Sequence, residues 1–131
     1  MSKKKFRFNF SIGDFPLTSC QKVSRPTILR HALLPDLIVY EPLDVILYDV
    51  EDPLTSKFIS SLIFDQNKSP FKSKLNIFNK KNEKIECWNF HKCRVLSANF
   101  GDCDSTSEEA LKIHLKISYE YYTTIFDFDD E

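Results

Sequence analysis

Residues 111–122 alternate without a break. Leu111, Ile113, Leu115, Ile117, Tyr119 and Tyr121 share one parity; Lys112, His114, Lys116, Ser118, Glu120 and Tyr122 share the other. Successive side chains of an extended chain point to opposite faces, so this run predicts a long strand with one apolar and one polar face. Such a strand needs neighbours to pair with and an apolar layer to lie against. The pattern recurs near the start, where Phe6, Phe8, Phe10 and Ile12 alternate with Arg7, Asn9 and Ser11. Gly13-Asp14 then reads as a tight turn, and residues 16–23 as the partner strand of a hairpin. Residues 37–40 and 43–48 are β-rich runs broken by Pro42, because proline cannot donate to a ladder. Residues 74–78 and 84–88 flank the polar turn 79–83, residues 93–100 supply another strand, and residues 101–109 form a polar loop.

One segment has helical spacing. Leu54, Phe58, Ile59, Leu62 and Ile63 recur on one side, with Ser56, Lys57, Ser60 and Ser61 on the other. Asp52 suits the N-cap, where its carboxylate can accept an orphan amide proton, and Pro53 suits the first helical position. The expected fold is therefore mainly β: a mostly antiparallel β domain with one central α-helix. The 131 residues are expected to form a single domain over 1–131, with 1–4 and 123–131 as flexible or docking tails. The second tail is acidic, carrying Asp127, Asp129, Asp130 and Glu131.

Residues 27–35 do not fit this pattern. They read as a loop, yet they carry Ile28, Leu29, Leu33 and Leu34 between Pro26 and Pro35. A loop this apolar has to lie on something, either its own core or a neighbouring subunit.

Composition excludes several chemistries. The chain has 2 glycines, where average usage of about 7% would give roughly nine. Phosphate-cradling loops and nucleophile elbows need clustered glycines, so those motifs are absent. Lys+Arg total 18 against 19 Asp+Glu, a formal charge of -1, which lacks the basic excess of a general nucleic-acid binder. No apolar stretch approaches the roughly 18 residues of a membrane span, and the basic start is not followed by a signal-peptide core. Cys20, Cys87, Cys93 and Cys103 are too few for a disulfide scaffold and are expected to stay reduced. The nearest approach to a metal pattern is Cys87-x3-His91-x-Cys93 with Cys103 beyond it. On one continuous strand these ligands would spread over about 20 Å, and convergence would need a sharp turn at 89–92. A small zinc-binding module is thus an alternative reading, but the favoured one has no metal and no cofactor, with the cysteines packed as small hydrophobes. His31, His91 and His114 carry no local catalytic signature, and no enzyme is expected.

Taken together, these segments resemble one known family along nearly the whole chain. The last third carries the likeness: a strand ending in Cys87-Trp88-Asn89-Phe90, a second through Cys93-Arg94-Val95, an Asp/Ser/Glu-rich loop from 102 to 109, and a long alternating strand closing in Tyr119-Glu120-Tyr121. It is similar to the tail tube proteins of contractile-tailed phages. Phe6-x-Phe8-x-Phe10 leading into Ile12-Gly13, then Cys20 to Pro26, resembles that family's first hairpin and following loop. The match departs at His91 and Cys93, where many tube proteins have glycine and proline, and is looser over 40–49. The resemblance implies a small antiparallel β-barrel or sandwich flanked by one central α-helix, and a virion structural protein without catalysis: a tube subunit in stacked hexameric rings that conducts the genome during ejection. A tube-initiating baseplate protein or a tail terminator of the same fold is the alternative. It also implies the partners: copies of itself, the sheath, the baseplate and the tape-measure protein, with DNA passing through without specific binding. The implied location is the virion tail, assembled in the host cytoplasm. In such a ring, Ile28, Leu29, Leu33 and Leu34 are candidates for inter-ring contact. Lys112, His114, Lys116 and Glu120, or Arg7 and Asn9, are candidates to face the lumen.

Overall fold

The computed structural model describes residues 7–13, 15, 20–50 and 54–126. In chain order these form β1 (Phe8–Ile12), β2 (Cys20–Val23), β3 (Ile28–Arg30), β4 (Ile38–Tyr40), β5 (Leu43–Tyr48), α1 (Thr55–Phe64), β6 (Phe71–Phe78), β7 (Lys84–Asn99), β8 (Lys112–Ser118) and β9 (Tyr121–Phe126). The mainly antiparallel β class with one helix is the observed class.

The organising element is β7, 16 residues long. Its first half pairs with β6 on one edge and β9 on the other, while its second half pairs with β8. It therefore belongs to two sheets, β1-β6-β7-β9 and β7-β8-β5-β2. The change of direction falls at Lys92, which adopts a left-handed backbone with φ of 57°. Phe90 before this point and Cys93 after it both belong to the core cluster, so the inward parity switches from even to odd. An extra residue in one strand does this: it bends the strand and re-aims everything beyond it. The sequence reading of two strands, 84–88 and 93–100, is corrected to one bent strand.

The two sheets face each other across one core. Phe10, Ile12, Leu75 and Phe90 come from the first sheet, and Leu43, Val45, Leu47, Ile113, Leu115 and Ile117 from the second. The inward residues of β5, β6 and β8 alternate with exposed or half-buried ones, as a two-faced strand requires. Helix α1 adds Ile59 and Leu62 to the core, and its Phe58 stacks on Phe15 with ring centroids 4.1 Å apart. Asp52 and Pro53 lie outside the described residues. The residue that precedes the helix is Leu54, and its side chain makes no capping hydrogen bond.

Three further expectations are corrected. β1 and β2 do not form a hairpin: β1 pairs with β6 and β2 with β5, at the two ends of the strand order. Gly13, at φ 54°, donates its N–H to the Lys72 carbonyl (2.7 Å), extending the β1–β6 ladder, and the Phe15 N–H bonds the Ile12 carbonyl at 3.1 Å, so the turn expected at Gly13 is present but does not bring β2 back beside β1. The alternating run 111–122 is interrupted at Tyr119-Glu120, where the Glu120 N–H bonds the His91 carbonyl at 3.0 Å. Beyond that break, residues 123–126 lie within β9 and are not part of a tail. Residues 1–4 and 127–131 lie outside the described residues.

Gly101, at the exit of β7, has a φ of 85°, and a Cβ there would meet the Lys112 carbonyl oxygen at 2.9 Å. Gly13 also has positive φ, but its nearest contact would be Phe71 Cβ at 3.7 Å. Gly101→Ala should destabilise the fold by about 2 kcal/mol or more, through backbone strain plus displacement of a ladder carbonyl. Gly13→Asn should cost under about 1 kcal/mol, because asparagine tolerates this backbone region. Chemical denaturation of the two variants checks the difference.

Candidate functional site

Residues 27–41 are not a loop but an arm. β3 and β4 pair only with each other, Ile28 opposite Tyr40, Leu29 opposite Val39 and Arg30 opposite Ile38. The tip is shaped by His31, whose Nδ1 accepts the N–H groups of Leu33 and Leu34 at 3.1 Å each, while Leu37 donates to the Leu34 carbonyl at 2.8 Å. These bonds turn Leu33 and Leu34 outward, 84% and 59% exposed. Ile28, Leu29, Leu37 and Val39 are exposed as well. The option that this segment folds onto its own core is therefore excluded for these side chains.

The arm's root is fixed. Tyr40 packs against Tyr119 and Tyr122, with centroids 5.6 and 5.8 Å away, and the cluster continues through Trp88 and Phe90. On the other side of the root, the Arg25 guanidinium lies 3.5 Å from an oxygen of the buried Glu86 carboxylate. The Trp88 indole N–H donates to the same oxygen at 2.7 Å. A buried carboxylate is tolerated only with such partners, so the pair both satisfies Glu86 and orients the chain entering the arm.

A second apolar surface lies at the end of α1. Phe64 is 81% exposed, Ile63 is exposed beside it, and Leu96 on β7 is 57% exposed. Leu62, Ile63, Asp65, Ser69, Arg94 and Val95 line a surface hollow of about 430 Å³. The sequence reading placed Ile63 on the buried helix face and passed over Phe64 and Leu96. A regular helix period cannot show where the sheet beneath ends.

The residues expected to face a lumen are divided. Lys112, His114 and Lys116 share the outer face of the second sheet, opposite Tyr48, Ile46 and Asp44 of β5. Lys116 pairs with Asp44 at 3.1 Å, and Lys112 Nζ sits 5.9 Å from the Tyr48 ring. Asn9 lies on the outer face of the first sheet, where its Oδ1 accepts from Asn76 Nδ2 at 3.0 Å. Arg7 donates to the Asn79 carbonyl at 3.1 Å, tying β1 to the β6–β7 turn. Glu120 sits in the β8–β9 turn, 3.8 Å from Lys92. These are two different faces of the molecule, so a single channel cannot be lined by both.

The cysteines and histidine of the zinc reading are separated too. Cys93 is in the core, its thiol directed at the Phe90 carbonyl, whereas Cys87 and His91 share its parity but precede the bend and stand outside the core cluster. His91 stacks on Tyr121 and shares a 3.0 Å hydrogen bond with Thr123. Cys103 lies in the exposed loop. Among the described residues no three histidine, cysteine or acidic side chains converge as metal ligands would. In the same loop, Asp104 accepts from both the backbone N–H and the hydroxyl of Thr106, which holds its carboxyl below the usual range.

Burial pushes the Cys93 thiol up to about 11, partly offset by hydrogen bonds from Ser73. An unfolded thiol ionises near 9, so the unfolded chain loses this proton first as pH rises. The stability tied to Cys93 is thus complete below pH 9 and is lost as pH climbs toward 11. Denaturation midpoints should fall across that window, and Cys93→Ala should show a shallower fall. In the native protein at pH 8, a bulky thiol reagent should modify Cys103 quickly. Cys20, Cys87 and Cys93 should react only on unfolding.

Neither a known family signature nor a curated protein sequence matches this chain. Its backbone does match solved structures over nearly its full length. It is similar to a chain of the anti-feeding prophage baseplate, six-fold symmetrised, with TM-score 0.66, 14% identity and coverage of 96% of this chain and 98% of that one. It is similar to a chain of the PVC extracellular contractile injection system, sheath–tube complex in the extended state, at TM-score 0.64, 16% identity and coverage of 95% and 92%. Hcp1 from Flavobacterium johnsoniae matches at TM-score 0.67, 10% identity and coverage of 91% and 94%. The fold is thus the tail tube-like fold of contractile injection systems.

Proposed function

We propose that this chain is a structural subunit of a contractile-tail tube, closing with its own copies into hexameric rings that stack into a conduit for the phage genome. The observation that carries this reading is the β3–β4 arm: a tethered hairpin that holds leucines out in solvent, on a fold that recurs in a baseplate and in a sheath–tube complex. A monomer has no use for such an arm, because its apolar area is hidden only by another molecule. Contacts between different patches of identical subunits generate closed rings or open stacks, which is the geometry a tube requires. The six-fold symmetrised baseplate supports the ring order. The sheath, baseplate and tape-measure protein would be its partners, and the virion tail, assembled in the host cytoplasm, its location.

Both outer sheet faces are basic on balance: Lys22, Arg94, Lys112 and Lys116 against Asp44 on the second, and Lys72 and Lys74 beside Asn9, Asn76 and Asn89 on the first. One of these two faces is the one that would line the lumen. The same fold would also serve a tube-initiating or tube-terminating ring. That role differs in forming one ring and then stopping.

Concentrated purified protein imaged by negative-stain electron microscopy should show six-fold rings and stacks of them. Single rings that never stack would point to an initiator or terminator. A stable monomer at high concentration, with and without an assembly partner, would overturn the tube reading.

A further inference from the structure

A pocket of about 660 Å³ opens where the start of β6 passes α1 and the bend of β7. Phe58 and Leu62 of the helix and Phe71 of β6 give it a predominantly apolar lining. Lys68, Lys72 and Lys92 also line it, all three exposed, and no acidic residue does so among the described ones. Lys68 is held over the apolar part: it donates to the Ser61 hydroxyl at 3.2 Å, with Nζ 6.0 Å from the Phe58 ring centroid. Lys92 has Glu120 at 3.8 Å, a pair between exposed side chains that is readily exchanged for another carboxylate. An apolar pocket of this size with a few like charges suits a ligand that joins an apolar group to charges of the other sign.

This chain carries such a ligand. Its acid-rich stretches 49–52 and 102–109 contain no aromatic ring, whereas Asp127-Phe128-Asp129-Asp130-Glu131 sets four carboxylates around a phenyl group. Strand register decides which copy supplies it. β9 ends at Phe126, opposite Glu86, while the pocket lies at Lys92 and at Phe71, the partner of Cys93. From Glu86 to Lys92 the strand runs about 20 Å, at about 3.3 Å per residue. Phe128 follows Phe126 by two residues, a reach of about 7 Å. The phenyl group of the same copy therefore falls short of the pocket, and a second copy has to provide it.

We propose that this pocket is a receptor for residues 127–131 of a second copy, with Phe128 against Phe58 and Phe71 and its flanking carboxylates on the three lysines. The proposal goes beyond the tube reading and rests on it only in requiring that copies meet.

A fluorescently labelled peptide of residues 127–131 is the probe. The receiver is the full chain carrying Phe128→Ser, so that its own segment does not compete. Fluorescence anisotropy should show saturable binding, one peptide per chain. Phe128→Ser in the peptide should weaken it at least about tenfold, the loss of one buried aromatic side chain. Lys68→Glu with Lys72→Glu in the receiver should also abolish saturation, while leaving circular dichroism and melting temperature unchanged. A peptide with Asp129→Lys and Asp130→Lys should bind that receiver and not the lysine one. No saturable binding, or binding indifferent to Phe128→Ser, would overturn the proposal. In the full chain, Phe128→benzoylphenylalanine should photocrosslink to residues 58–72 of another copy. Crosslinks confined to one copy, or to a different surface, would overturn the assignment. The peptide arm needs no assembly, so protein that binds the peptide yet stays monomeric at high concentration would sink the tube reading alone.

Discussion

Everything in this molecule depends on the bend in β7. A 16-residue strand cannot lie in one small twisted sheet without exposing one end. The left-handed Lys92 solves this by turning the strand and reversing its inward parity, so that Phe90 and Cys93 both reach the same core. Because β6 and β9 grip the first half and β8 the second, the two sheets are joined covalently through their shared strand. The six-strand path then runs from β1 to β2, while the end of α1 lies near Arg94 and Val95 and the arm is rooted at Glu86 and at Tyr119 and Tyr122.

Local pattern was enough where the structure is local. The alternation of β5, β6 and β8 appears in the sequence and in the burial of their side chains, and the β6–β7 turn at 79–83 is where polar residues place it. Partner choice is different. Nothing near residues 8–12 says that their neighbour is 73–77, because that pairing is decided by which long strand can set Ile77, Leu75 and the small Ser73 against Phe8, Phe10 and Ile12 in register. The bend was hidden for another reason. A left-handed residue is usually announced by glycine or asparagine, and here a lysine holds the position because strands on both sides over-determine it. Without that bend, Cys87, His91 and Cys93 look like ligands on one face; with it, Cys93 has gone to the core.

The candidate surface was half legible. Leucines between two prolines draw attention because a loop does not usually carry them, and Ile28, Leu29, Leu33 and Leu34 were found that way. Leu37 and Val39 were not, since alternation in 37–40 reads as an interior strand until its lack of a third neighbour is known. Phe64 follows the last buried turn of a helix, and only the position of the sheet shows that it overhangs. The proposed lumen residues show the same limit: parity says that Asn9 and His114 face outward, but not that they face outward on opposite sides.

The anchoring of the arm by Tyr40 and by the Arg25–Glu86 pair has a thermodynamic corollary. A flexible apolar segment would surrender conformational freedom on docking, at about 1–2 kcal/mol for each backbone residue ordered. This hairpin is already ordered, so that entropic charge falls on folding and not on association, and the encounter finds its shape preorganised. The same stiffness denies the free chain any way to tuck its leucines aside, so that apolar area stays open to solvent until another molecule covers it.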